Sequence, residues 1–160
     1  MARPIVRAAE EGEKLWFYGG GVHSWKVTAD DTDGSVVMFE DVLVRGKTTP
    51  LHHHTTDEII YVLEGELVTY QDGVERKVGA GGTIMNPRGV PHALLVLSET
   101  ARLLCIQTPG TAESFYRAAS EPAGPSDGPV DFRRVGEAAK KTGATVILGP
   151  PPFQRNETLG

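Results

Sequence analysis

Four of the five histidines in this 160-residue sequence fall in two places, His52-His53-His54 and His92. Imidazole nitrogens beside a carboxylate are donors for divalent transition metals. The stretch His52-His53-His54-Thr55-Thr56-Asp57-Glu58 is therefore where chemistry is to be sought. In an extended chain alternate residues share a face, so His52 and His54 project to one side and His53 to the other. Glu58 has the parity of His52 and His54, and the short Thr-Thr-Asp bend lets it return to their face at the start of the next apolar strand. His92 follows Pro91 at the head of a further strand. Two or three imidazoles with a carboxylate are an ordinary donor set for Fe, Mn, Ni, Co or Zn. Taken alone, however, His-x-His-x-x-x-Glu fits histidines that merely satisfy a strand equally well.

The elements that must carry these residues read as short strands. Glycine and proline number 19 and 11, a content that turns the chain often. Leu15–Tyr18 and Val22–Val27 form two strands around a glycine break, and Asp30–Gly34 is a turn. Val36–Val44, Glu58–Val68 (interrupted at Glu64-Gly65-Glu66), Thr83–Met85, Ala93–Leu97 and Arg102–Gln107 are β-prone. Asp72-Gly73 is a hairpin turn. This spacing predicts an all-β core, closed or sandwiched. After Thr108-Pro109-Gly110 the pattern changes. Ala112–Ala119 is helical and Glu121–Pro129 is linker-like. Asp131 caps a second helix, with Phe132, Val135 and Ala139 on one face and Gly143 at its end. Ala144–Leu148 is a last strand or extended docking segment.

Composition narrows the function classes. A net charge of −5 without blocks of one sign gives no footprint for nucleic acid. No apolar run approaches the roughly 20 residues of a membrane span. The first residues lack an apolar signal segment, so a cytoplasmic protein is expected. The one cysteine, Cys105, lies in an apolar run and reads as a buried core thiol.

The flanks of the histidines carry a resemblance. Gly46, five residues, His52-x-His54, three residues, Glu58, six residues, Gly65 is one motif. Gly81, five residues, Pro87-x-Gly89, two residues, His92 is most of a second. Together they resemble the two motifs of a single-domain cupin, over about Lys26 to Gln107. The resemblance implies a double-stranded β-helix (jelly-roll) barrel over about 26–107 within one domain of 1–160. Strands 1–25 precede it and a short C-terminal helical tail, 111–160, follows. It also implies one divalent transition metal per chain, held by His52, His54, Glu58 and His92. In this chain Val96 stands where the second motif often has Asn. By parity Val96 and Leu94 share the face of His92 and are expected to line an apolar pocket, unlike those of oxalate-handling relatives. Met38 and Glu40 share a face of their strand, and with that face inward they are candidates for the substrate pocket.

The overall plan is similar to the small quercetinase-like cupins of bacteria. That likeness implies a dioxygenase-type oxidoreductase acting on an enolisable or aromatic hydroxyl small molecule, with Glu58 as general base. Two alternatives stand beside it: a metal-dependent polyketide-type cyclase or isomerase, and a cupin that binds a small molecule without turnover. Cupin barrels commonly pair, and the apolar outward set Ile59, Tyr61 and Leu63 leads to the expectation of a homodimer. Trp16, Phe17, Tyr18 and Trp25 read as packing residues, Phe115 and Tyr116 as the seat of the tail helix, and His23 as structural or on the surface.

Overall fold

The computed structural model describes residues 1–123 and 129–154. Its strands are β1 Lys14–Phe17, β2 Gly21–Val27, β3 Val37–Val44, β4 Leu51–His54, β5 Asp57–Glu64, β6 Glu66–Gln71, β7 Val74–Gly79, β8 Thr83–Asn86, β9 His92–Val96 and β10 Thr100–Thr108. Then follow helix α1 Glu113–Ala118, strand β11 Ser120–Pro122, helix α2 Phe132–Thr142 and strand β12 Thr145–Gly149. Every paired strand runs antiparallel to its neighbour, in one sheet ordered β11-β1-β2-β3-β10-β5-β8 and another ordered β12-β4-β9-β6-β7. No helix among the described residues is long and apolar enough to cross a membrane.

Period-two burial builds the core. On β10 Ala101, Leu103, Cys105 and Gln107 are buried, and the residues between them are not. Trp25, Phe39, Val62 and Leu103 from the first sheet meet Leu67 and Val96 from the second in one cluster. The expected hairpin turn joins β6 to β7. Asp72 and Gly73 both have positive φ, 46° and 87°, as a two-residue turn matched to the strand twist requires. Gly65 also has positive φ, and a Cβ there would stand 2.4 Å from the Thr100 carbonyl oxygen, so no larger residue fits between β5 and β6.

The tail closes one side of the barrel. Asp131 accepts a hydrogen bond from the Arg134 amide at 3.0 Å, and Gly143 ends α2 in the left-handed region. Phe115, Ala119, Val135, Ala138, Ala139 and Ala144 pack there as a second apolar cluster. Ala144–Leu148 is a strand indeed: β12 pairs with β4, setting Thr145 against His54 and Ile147 against His52. The sheets thus extend beyond 26–107 at both ends, because β2 pairs with β3 and β12 with β4.

Three expectations need correction. Glu121 and Pro122 belong to β11, not to a linker; they pair with β1 at a sheet edge, where proline is tolerated. Residues 124–128 of the expected linker lie outside the described residues. Met38 and Glu40 face outward, not inward, because Val37, Phe39, Asp41 and Leu43 take the buried positions of β3. Glu40 meets Arg102 at 3.2 Å on that outer face. Val96 does point inward, but into the packed core at 1% exposure rather than into a pocket.

Candidate metal centre

His52 and His54 stand on β4 with the shared parity of a strand, and His92 opens β9 directly opposite His52. Their ring centroids lie 4.3 Å (His52–His92), 4.7 Å (His54–His92) and 5.8 Å (His52–His54) apart. One ligating atom from each falls within 4.8 Å of the other two. Glu58 comes from the other sheet, on β5. Its Oε2 is 3.5 Å from Nε2 of both His54 and His92. The loop that delivers His92 is pinned to both strands. The Gly89 amide donates to the His54 carbonyl at 2.9 Å, and Arg88 grips Asp57 at 2.6 Å. That guanidinium holds the Asp57 carboxyl down at about 2. His53, as its parity requires, sits on the opposite face of β4, against Val146 of β12.

The backbone fixes the protonation pattern of all three rings. His52 Nδ1 donates to the Pro50 carbonyl at 2.9 Å, His54 Nδ1 to Thr56 at 2.8 Å and His92 Nδ1 to Val90 at 2.8 Å. A carbonyl only accepts, so each Nδ1 carries a proton, and in the neutral ring Nε2 is the atom that offers a lone pair. The Nε2 atoms of His54 and His92 are buried and lack a hydrogen-bond partner among the described residues. Burial, reinforced by the neighbouring His92, pushes the His52 imidazole down to about 3 and keeps it neutral. For His54 burial works the same way, but the Glu58 carboxylate outweighs it and raises the pKa. Burial also opposes ionisation of Glu58, yet the imidazoles of His54 and His92 beside it hold it well below the usual carboxylate range. Three convergent imidazole nitrogens beside an anionic oxygen are a donor set that a divalent transition metal fits.

Residues that the sequence reading passed over hold Glu58. Asn86 Nδ2 donates to its Oε2 at 2.8 Å and Gln107 Nε2 to its Oε1 at 2.9 Å. Gln71 donates to Asn86 Oδ1 at 2.6 Å and Thr56 to Gln107 Oε1 at 2.6 Å, so both amides are oriented with their NH2 groups toward the carboxylate. Gln107 also donates to the Tyr116 hydroxyl at 2.8 Å. A buried glutamine at the inward parity of an apolar strand was the available signal for Gln107.

The group opens on a cavity inside the barrel. His52, Glu58 and His92 line one part of it, and Ile60, Ile84, Leu94 and Leu103 supply apolar wall. Leu94 is therefore where the reading put it. Phe17, Phe115 and Tyr116 also face this space, joining the tail to the cavity wall. Cys105 lines it as a buried thiol whose pKa burial pushes well up.

Comparison with known proteins accords with this geometry. Residues 38–107 match the family described as Cupin domain, and the barrel has the fold of the solved cupin structures below. The chain resembles quercetin 2,3-dioxygenase of Bacillus subtilis (strain 168), with 26% identity over 122 residues, 76% of this chain and 36% of that protein. It thus spans about a third of that relative's length. The fold is shared with KdgF from Halomonas sp. at TM-score 0.60 and 18% identity, covering 67% of this chain and 94% of that one. An RmlC-like cupin from Shewanella frigidimarina gives TM-score 0.58 and 20% identity over 67% and 92% of the two chains. A predicted oxalate decarboxylase from Thermotoga maritima gives 0.58 and 20% over 66% and 99%.

Proposed function

We propose that this chain is a metal-dependent cupin enzyme of the dioxygenase type, acting on a small molecule with an aromatic or enolic hydroxyl. The observation that carries the reading is the convergence of three imidazoles, two of them against Glu58, beside a largely apolar cavity. The likeness to a quercetin 2,3-dioxygenase supports the same class of substrate. When bound, the metal would supply a Lewis-acid site that acidifies a coordinating hydroxyl and, if redox-active, a centre for O2 chemistry. His52, His54, His92 and Glu58 are the residues to hold it. Glu58 is also placed to take the hydroxyl proton on a carboxylate oxygen, with Asn86 and Gln107 fixing its direction. Leu94, Ile60 and Ile84 exclude water and favour a flat apolar substrate. A cytoplasmic location goes with this reading.

The test is elemental analysis of untagged protein beside a His52→Ala, His54→Ala variant, followed by O2 uptake with quercetin. Near-stoichiometric Fe, Mn, Ni or Co that the variant lacks, with O2 consumed, is the expected result. Turnover without O2 would favour the cyclase or isomerase reading, and tight binding without turnover the binder.

The active unit is proposed to be a homodimer. Ile59, Tyr61 and Met85 are 40%, 42% and 45% exposed on the outer face of β5 and β8. Arg102, Glu40 and Glu64 lie on the same side, so the patch carries both signs and complements a second copy of itself. Light scattering is expected to give twice the 17.2 kDa chain mass, and a monomer at micromolar concentration would contradict this.

A further inference from the structure

The cavity has a second polar end that the metal centre does not use. His23 on β2 and Asp41 on β3 stand directly opposite each other in register. His23 Nδ1 is hydrogen-bonded to the Asp41 carboxylate. A carboxylate accepts, so Nδ1 carries the proton and Nε2 presents a lone pair. His23 is 1% exposed, and its Nε2 lacks a partner among the described residues. The ring is wedged between Phe17, Phe39 and Tyr116, at centroid distances of 4.7, 4.8 and 5.0 Å. If packing were its whole role, a phenylalanine would serve without leaving a buried nitrogen unpaired.

Both His23 and Asp41 line the cavity that His52, Glu58 and His92 line. In the seven-stranded sheet β2 and β5 are three strand steps apart. At about 4.8 Å per step that is about 14 Å between backbones, from which the side chains reach inward. The wall between is apolar, with Leu43, Ile60, Leu103 and the Tyr116 ring. Two polar ends joined by an apolar wall suit a flat aromatic ligand with polar groups at both ends.

We propose that His23, oriented by Asp41, is a second ligand-binding point of this cavity. Its Nε2 accepts a hydrogen bond from a phenolic hydroxyl at the far end of an aromatic ligand whose near end lies at the histidine cluster. The near end rests on the function proposed above; the far end rests on His23 and Asp41 alone. Asp41 acts as a positioning residue, since it fixes which nitrogen faces the ligand.

Two measurements test this. The first compares anaerobic binding of quercetin with that of 3-hydroxyflavone, which lacks the distal hydroxyls. His23→Phe and Asp41→Asn are expected to weaken quercetin by about tenfold, the scale of one lost hydrogen bond, and to leave 3-hydroxyflavone within about twofold. Equal weakening of both ligands, or of neither, overturns the proposal. The second uses phenol, which needs no metal contact, and the 15N imidazole spectrum of zinc-loaded protein. Phenol is expected to shift the His23 Nε2 resonance in the wild type and to have less effect in Asp41→Asn. If neither flavonol binds while phenol shifts His23, the flavonol reading fails and the subsite stands. If phenol leaves the resonance unmoved, the subsite falls.

Discussion

Asp31 and Glu58 are both buried carboxylates, 2% and 6% exposed, and they keep opposite company. Asp31 is met by Arg7 at 2.8 Å and Arg3 at 3.2 Å, with the Thr28 amide and hydroxyl filling its remaining lone pairs. Led by the Arg7 hydrogen bond, these partners hold its pKa far below the ordinary carboxylate range. The result ties the N-terminal arm to the barrel. Glu58 has no arginine or lysine among its hydrogen-bond and ion-pair partners in the described residues. It is met by two amides and two imidazoles, none of them a permanent cation. A buried charge cancelled by fixed cations within the chain is a structural tie. One surrounded by neutral donors and unpaired nitrogens is completed by something from outside.

The sharpest way to break this comparison is to neutralise each carboxylate in turn, in metal-free protein. Asp31→Asn leaves Arg3 and Arg7 without their counter-charge and is expected to cost about 2–3 kcal/mol. For a chain of this size that lowers Tm by about 5–10 °C. Glu58→Gln keeps the shape and removes a charge that costs desolvation, so Tm is expected to stay within about 3 °C. Metal affinity reverses the order. Glu58→Gln is expected to lose about 100-fold or more, and Asp31→Asn to bind as the wild type does. Thermal melts with chelator and competitive metal titration read the two effects separately. If Glu58→Gln destabilises the metal-free fold as much as Asp31→Asn, the distinction between tie and site is wrong.

Acid sharpens the same contrast. The folded-state pKa of Asp31 lies below its ordinary 3.8, so its stabilisation is present in full above that value and drains away as pH falls toward the folded one. Asp57 contributes in the same direction between 3.8 and about 2, weakened by its partial exposure to solvent. Urea melts at about pH 4.5 and about pH 3 are expected to show a steeper loss for the wild type than for Asp31→Asn. Parallel losses would mean that Asp31 is not the group that titrates.

What the sequence made legible and what it hid divide along a physical line. His52 and His54 were readable because strand parity is local, and Asp72-Gly73, Asp131 and Gly143 because turns and caps are set by the residues themselves. The partnership of His23 with Asp41 was not, since it depends on the β2–β3 register across an 18-residue separation. The same pair explains the misplaced face of β3. Parity groups Met38 with Glu40 and Val37 with Asp41 but does not say which set is inward, and both sets carry a charge; the His23 partner is what lets Asp41 lie inside. Val96 was given the correct side of β9 but the wrong depth, because parity says nothing of where along a barrel the cavity ends.

Asn86 and Gln107 were hidden for the opposite reason: an amide carries no motif, and only the fold shows what it holds. Their substitution is the mildest test of the comparison. Asn86→Leu and Gln107→Leu each remove one donor from Glu58, and each is expected to lower metal affinity by about 10- to 100-fold, as losses around a ligand typically do. Their stability costs should differ. Gln107 also serves the Thr56 and Tyr116 hydroxyls, so its loss strands Tyr116, leaves Thr56 only its 3.3 Å contact with His54 Nδ1, and is expected to cost about 1–3 kcal/mol. Asn86 leaves only Gln71 behind, which keeps its bond to the Met85 carbonyl at 2.7 Å, so its loss is expected to cost under about 1 kcal/mol. Urea denaturation with chelator measures that difference. An Asn86→Leu protein that keeps its stability yet binds metal about 10-fold more weakly ties the amide to the direction of the carboxylate rather than to the fold. An Asn86→Leu protein with wild-type affinity would show that Glu58 needs no such guidance, and that Gln107 alone is enough to aim it.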